Sequence, residues 1–357
     1  TERLTTSHWL EFFDRTLSRT LLHTHHLTAS VIAARLGRPF VCSFHSLWPS
    51  VAAFLTGKAA NTERLWLAAE CFRAARAIVV PTNVERSLLE ALATSVASAR
   101  DIAKKVVVIP WGQPHLDVGS PDEMLMRRRA VRDAVLPGVP DDALVLYNVG
   151  RFVAYKKQAS VIRAFARVAT SHRRAWLLLV GPHAQGGYAE EVHDALQSLP
   201  IGVRERVVLP GALSAEDAHL AGDILVHAST VESWCRVVDE AWQMGRPTVI
   251  SAIPTIAERA GYHWRHHAPA SLDPARPAHF LFAAHSQEAL SVLIDPHDES
   301  SIARGMDHAL ADASWREETA SRNRELARAR DWQSTARQME ALYRETLSSQ
   351  LPLKMAS

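Results

Sequence analysis

Residues 144–181 read LVLYNVGRFVAYKKQASVIRAFARVATSHRRAWLLLVG. An apolar run of strand length, LVLYNV, closes at Gly150. The stretch ASVIRAFARVATSH then has a helical pattern, and AWLLLVG is a second apolar run closed by Gly181. Near-continuous apolar strands joined by a helix mark a parallel sheet covered on both faces. The alternation continues outward in both directions. FVCSF (40–44), AIVVP (77–81), VVVIP (106–110), VVLPG (207–211), ILVHAS (224–229) and PTVIS (247–251) are the other strand candidates. The predicted class is therefore α/β with parallel sheets.

The 357 residues are enough for two domains, and 47% hydrophobic content is enough to fill their cores. Charged residues make up 22% and the formal net charge is +2, which argues against nucleic acid as a main partner. AWLLLVG and ALVLYNVG have the length of core strands, not of membrane spans. Cys42, Cys71 and Cys235 are odd in number and far apart, so no disulfide framework is expected and a reducing, cytoplasmic setting fits. No targeting or lipidation motif is read. Arginine far outnumbers lysine, as in a GC-rich bacterial genome.

The strand–helix rhythm breaks between Trp111 and Asp142. Gly112, Pro114, Gly119, Pro121, Pro137, Gly138 and Pro140 surround one charged helix there, DEMLMRRRAVRDAV. This reads as an inter-domain connection. The expected division is a first domain over 1–117, a second over 118–332, and a final helix over 333–357.

Three places carry chemistry. After the strand ending at Gly150, the cations Arg151, Lys156 and Lys157 stand at the mouth of a helix, which suits an anion; a solvated basic loop is the plainer alternative. Residues 229–247, STVESWCRVVDEAWQMGRP, predict a helix capped by Ser233 or Thr230 and stopped at Gly245 and Pro247. Glu232 and Glu240 stand eight residues apart, about 12 Å of helix rise. That spans a sugar, a diphosphate and a ribose, but it also describes two surface glutamates on an amphipathic helix. In FVCSFHSLWPS, His45 leaves a strand at its carboxyl end, where ligands bind in open α/β sheets.

Taken in order, these segments resemble the glycosyltransferases of family 4. LLHTHHLTASVIAARLGRPFVCSFHS, ECFRAARAIVVPTNVERSLL and KKVVVIPWG are similar to the family's first domain. VGRFVAYKKQASVIRAFARV resembles its G-R…K-G element, and the segment from VVLPGAL through VESWCRVVDE resembles its base-binding turn and E-x7-E motif. VLIDPHDESSIARGMDHALAD and DWQSTARQMEALYRETL resemble its closing segments, the last a helix returning to the first domain. The resemblance implies the GT-B fold, two Rossmann-like domains with parallel sheets facing each other across a cleft. It also implies a metal-independent, retaining hexosyltransferase-like enzyme with no cofactor beyond its co-substrate. That co-substrate is a nucleotide-diphosphate sugar, of uridine or guanosine first, with adenosine open. A small-molecule acceptor, as in secondary-metabolite or small-glycoside biosynthesis, is expected, and a homo-oligomer stays open.

By the same resemblance Arg151 and Lys157 neutralise the diphosphate, with Lys156 sharing that role. Glu232 holds donor-sugar hydroxyls and Glu240 the ribose. Gly150, Ser233, Trp234, Cys235 and Arg236 belong to the donor site, and backbone at Gly211, Ala212 and Leu213 faces the base. His45 stands beside the transferred sugar, with His25 and Trp48 on the acceptor side. Two other readings keep the fold: a catalytically silent nucleotide-sugar-binding subunit, and a GT-B epimerase or phosphorylase.

The chain departs from the family pattern in four places. Cys235 stands where E-x-F-G has glycine, beside the phosphates. IPWGQPH differs at Trp111, Gln113 and Pro114, and a long segment separates Glu258 from Val292. Residues 7–20, SHWLEFFDRTLSRT, read as a helix, and no glycine precedes Gly37; the expectation is that the family's first strand units are missing here or altered. Within the long segment His263, His266 and His267 have zinc-like spacing, but no cysteine or carboxylate completes a site, so a loop over the donor site is expected.

Overall fold

The computed structural model describes residues 20–45, 68, 70–95, 99–116, 119–182, 187–232, 234–264, 281–283, 291–328 and 330–348. Trp48, Ser233, His266, His267, the expected N-terminal helix up to residue 19 and most of the long segment before Val292 lie outside these residues. Among the described residues two compact units are present. One holds residues up to Gly112 together with the helix Trp332–Ser348, and the other runs from Gln113 to Asp331.

The first unit is built on four parallel strands in sequence order: β1 (Leu22–Thr24), β2 (Phe40–Ser43), β3 (Ala77–Val80) and β4 (Val106–Val108). Every residue of β2 and β3 is buried, which is why these segments read as unbroken apolar runs. Val41, Ala77, Val79 and Ile109 form one core cluster with Met339 and Leu342 of the helix Trp332–Ser348. Thr335 of that helix donates to the carbonyl of Pro110 at 2.7 Å. β1 was absent from the strand candidates, since LHT is short and mostly polar and shows no apolar run.

The second unit has a six-stranded parallel sheet ordered β12-β9-β8-β5-β6-β7. Its strands are β5 (Leu144–Val149), β6 (Ala175–Val180), β7 (Val207–Gly211), β8 (Ile224–His227), β9 (Thr248–Ser251) and β12 (Val292–Ile294). Tyr262–Trp264 and Leu281–Ala283, β10 and β11, form a separate antiparallel pair. Apolar clusters cover both faces of the large sheet. On one face the helix Gln158–Val168 buries Val161, Ile162 and Phe165 completely, each burial contributing roughly 1.5–3 kcal/mol. The connections run one way through β5, β6 and β7 and the other way through β8 and β9. The order therefore reverses between β5 and β8, which pair at Leu146 with Ile224 and at Tyr147 with Leu225. A reversal of this kind opens a crevice at the carboxyl ends of the two strands.

The charged stretch read as an inter-domain connection is part of the second unit. Ser120 and Glu123 form a capping box that starts the helix Pro121–Val135. Arg128 fastens that helix by donating to the Leu220 carbonyl at 2.7 Å and pairing with Asp223 at 2.5 Å. Gln113 and Leu116 also belong here: Gln113 accepts from Arg236 Nε at 3.1 Å, and the Leu116 N–H donates to Gln243 at 2.9 Å. No described helix is long and apolar enough to cross a membrane.

Candidate functional site

The carboxyl ends of β5 and β8 carry most of the residues singled out in the second unit. β5 runs into Gly150 and Arg151, a single 3-10 turn, Ala154–Lys156, and then Lys157. β8 runs into Ser229, Thr230 and Glu232, then Trp234 and Cys235, ahead of the helix Arg236–Gln243. The two loops are joined through backbone, as the Thr230 N–H donates to the Tyr155 carbonyl at 2.7 Å.

Lys156 Nζ bonds directly to Glu232 Oε1. His227 Nε2, fully buried at the end of β8, donates to the same oxygen at 3.0 Å. Thr255 fixes the backbone by donating to the Glu232 carbonyl at 3.0 Å. Burial alone would raise the Glu232 pKa, but the His227 hydrogen bond and the Lys156 charge outweigh it and hold the carboxyl at about 2. Burial pulls Lys156 downward, and Cys235 and then Glu232 together more than offset that, so the ammonium is held above its ordinary value. His227 is lowered by burial, with Glu232 opposing, and is neutral at pH 7.

Two non-glycine residues among those described have positive φ, Lys157 at 59° and Cys235 at 60°. Each is the N-cap of a helix, Gln158–Val168 and Arg236–Gln243, and neither supplies a side-chain cap bond. The expected cap at Ser233 or Thr230 is therefore corrected: the N-cap is Cys235, in a left-handed turn two residues past Ser233 and five past Thr230. Glu232 consequently lies in the loop before the helix and only Glu240 lies on it. The two are not opposite ends of one helix, as the spacing had suggested. The helix stop is where it was expected, with Gly245 at φ 62° just after it.

The twin lysines are separated by the same turn. Lys156 turns onto Glu232, while among the described residues the Lys157 side chain makes no hydrogen bond or ion pair. Arg151 is exposed and donates to the Tyr155 hydroxyl at 3.2 Å. Cys235 is buried, with Sγ 3.2 Å from His227 Nε2, and burial pushes its thiol pKa upward. Trp234 is buried under the Arg259 guanidinium at 3.7 Å; Arg259 also bonds the Trp234 carbonyl and the Asp239 carboxylate. Glu240 is 8% exposed, near His219 Nε2 at 3.5 Å and Arg236 Nη2 at 3.4 Å. His219 accepts from the Tyr147 hydroxyl at 2.7 Å.

Three glycines line up at the carboxyl ends of β5, β6 and β7. The Gly150 N–H donates to the Val180 carbonyl and the Gly181 N–H to the Gly211 carbonyl, both at 2.9 Å. A Cβ on Gly181 would lie 2.0 Å from the Gly150 carbonyl oxygen, so only glycine fits. Beyond Gly211, Ala212 is exposed and Leu213 packs partly on the core. Gly181, His227, His219 and Arg259 were not singled out from the sequence. A glycine closing AWLLLVG was a usable signal; the others read as ordinary strand or helix residues.

In the first unit the strand ends hold a column of rings. His25 Nδ1 lies 3.0 Å from His45 Nε2, and the His45 ring is 5.0 Å from that of Trp111. The His23 ring lies tilted against that of His25 at 4.1 Å and is anchored by Ser43 at 2.7 Å and the Tyr343 hydroxyl at 2.6 Å. Burial, then the neighbouring His25 and His45, lower His23 to about 4.

Known proteins share both halves of this arrangement. The family model "Glycosyltransferase Family 4" matches residues 5–112 and "Glycosyl transferases group 1" matches residues 136–262. The lipopolysaccharide core biosynthesis glycosyltransferase LpsD of Rhizobium meliloti is 35% identical over 113 residues, 31% of this chain and only 30% of LpsD. A D-inositol 3-phosphate glycosyltransferase of Stackebrandtia nassauensis is 25% identical over 346 residues, covering 92% of this chain and 68% of its own. Among solved structures, Anabaena HepE in complex with UDP and glucose superposes with a TM-score of 0.67 at 20% identity, covering 95% of this chain and 81% of its own. At that identity the likeness is one of fold. With two parallel-sheet α/β units, and a family match to each, the chain belongs to the GT-B glycosyltransferases of the family 4 type.

Proposed function

We propose that the protein transfers a sugar, with retention, from a nucleotide-diphosphate sugar to the hydroxyl of a small acceptor. The observation that carries this reading is the Lys156–Glu232–His227 cluster at the β5/β8 reversal. It sets a cation, a carboxylate held ionised and the uncapped starts of two helices around one crevice. The helix amides and cations suit a diphosphate, and Glu232 suits sugar hydroxyls. Glu240, buried beside His219 and Arg236, suits the ribose. HepE, a structural neighbour, is described with UDP and glucose and with UDP-glucose, which favours a uridine donor here.

In the reaction the bond from the anomeric carbon to the β-phosphate oxygen breaks, and the acceptor oxygen bonds that carbon on the same face. The acceptor proton passes to the departing phosphate, whose charge Lys156, Arg151 and Lys157 offset. His45, with His25 and Trp111, is assigned to the acceptor. All three cysteines are free buried thiols, in keeping with a reducing compartment.

A thermal-shift panel of uridine, guanosine and adenosine diphosphates and their sugars tests the reading. Stabilisation by one nucleotide series, lost in Glu240→Ala and Arg151→Ala, is expected; undiminished donor affinity in both variants refutes it. Cys235 in place of glycine favours one competing reading, a silent nucleotide-sugar-binding subunit. That reading prevails if the donor binds yet no nucleotide diphosphate is released with any acceptor pool.

A further inference from the structure

Cys235 accepts a left-handed backbone conformation that glycine would adopt freely and that an L-residue adopts only under strain. Strain held in place by its surroundings points to a use for the side chain. What it achieves here is placement of a thiol against a buried imidazole and a carboxylate. His227 Nε2, Glu232 Oε1 and Cys235 Sγ all lie within 4.8 Å of one another. The nitrogen is 3.0 Å from the carboxylate oxygen and 3.2 Å from the sulfur.

We propose that His227, Glu232 and Cys235 bind one thiophilic divalent cation of the zinc type, which displaces Lys156 from Glu232. Tetrahedral ligands on bonds of roughly 2.0–2.3 Å sit about 3.3–3.6 Å apart, so the His227 nitrogen needs to part from the carboxylate oxygen and from the sulfur by only a few tenths of an ångström. Sulfur, imidazole nitrogen and one carboxylate oxygen suit zinc or cobalt, whereas magnesium and calcium demand oxygen. His227 closes β8 and is held rigidly, and Glu232 is fixed through Thr255, so two of the ligands are already positioned.

The charges balance. At present the Lys156 ammonium offsets the Glu232 carboxylate while the thiol is neutral. When the metal enters, a sulfur–metal bond forms and the thiol proton leaves to solvent, so a divalent cation meets one thiolate and one carboxylate. Lys156 then turns away, and the fourth metal position stays open to water. If Glu232 also holds the donor sugar, which rests on the function proposed above, the metal competes with the donor.

The test measures metal binding with no donor present, so it fails or succeeds independently of glycosyl transfer. Full-length protein, stripped with a chelator, is titrated with Zn2+ by calorimetry and with Co2+ by absorption. One equivalent should bind, with a thiolate-to-cobalt charge-transfer band in the near ultraviolet. Cys235→Gly relieves the backbone, and its melting curve reports whether it folds. Cys235→Ser keeps the side-chain volume if glycine does not. Either variant should lose the band and bind at least about 100-fold more weakly. Lys156→Met should bind about tenfold more tightly, because no ammonium competes for Glu232. A wild-type protein without the band, or a band surviving in the Cys235 variants, overturns the site. Equal or weaker binding in Lys156→Met overturns the displacement.

Discussion

Replacing Lys156 with methionine removes the cation from Glu232 but leaves the His227 hydrogen bond in place. The Glu232 carboxyl, held at about 2 against an ordinary 4.5, represents roughly 3 kcal/mol of preference for the ionised form, at about 1.4 kcal/mol per pH unit. Two partners share that preference, and burial of the unpaired carboxylate adds to the loss, so Lys156→Met is expected to cost about 2 kcal/mol. For a unit of this size the melting temperature should fall by roughly 4–8 °C. Lys157→Met, at the neighbouring position with no bonded partner among the described residues, should stay within about 0.5 kcal/mol. The sign with pH follows from the depressed carboxyl: its contribution is complete above 4.5 and is lost as pH falls from 4.5 through 2. The gap between wild type and Lys156→Met should therefore close across that window. Scanning calorimetry at pH 7 and at successively lower pH measures it, and a Glu232→Gln background completes the double-mutant cycle. Equal costs at the two lysines, or a Lys156→Met cost that persists with Glu232→Gln, would refute the reasoning and return the site cation to Lys157.

Gly181→Ala should cost about 3 kcal/mol or prevent folding, because its Cβ meets the Gly150 carbonyl oxygen at 2.0 Å and backbone cannot yield; urea denaturation measures it. Arg259→Leu strands the buried Asp239 carboxylate and should cost roughly 3–5 kcal/mol. Adding Asp239→Asn should restore much of that loss, and a double variant no more stable than Arg259→Leu would contradict the pairing. The His23 imidazole, lowered to about 4, should titrate there by NMR. Its folded pKa lies below 6.5, so the stability it contributes is complete above that value and declines as pH falls toward 4; a midpoint near 6.5 would refute the burial argument.

The parallel sheets were legible because β6 is apolar over all six residues and β5 is broken only by Asn148. β1 and β12 were not among the strand candidates: LHT is mostly polar, and VLI is a lone apolar triplet, whereas equally short β4 sits in the longer apolar run VVVIP. Glu232, Glu240, Lys156 and Cys235 could be singled out by order along the chain. What they touch could not. Two adjacent lysines look alike in a sequence, and only the left-handed turn at Lys157 sends one of them to Glu232. The same turn at Cys235 moved the helix start past Ser233, a shift no residue preference announces when the residue is not glycine. His227 read as one more strand residue, and Glu240 meets His219 from a different helix. These are distances across the fold, and residue spacing does not encode them.

The helix Trp332–Ser348 completes the core of a unit whose other described residues all precede Gln113. Between them the chain makes the second unit's described residues, from Gln113 to Asp331. A ribosome therefore releases Val41, Val79 and Ile109 long before Met339 and Leu342 exist to cover them. The second unit, whose described sheet is complete by Ile294, can close while the first still waits for its last helix. By chain order, the core of the first unit can be completed only after that of the second, against the usual N-terminal-first order. Until then the β2–β3 face lacks the cover that Met339 and Leu342 give it.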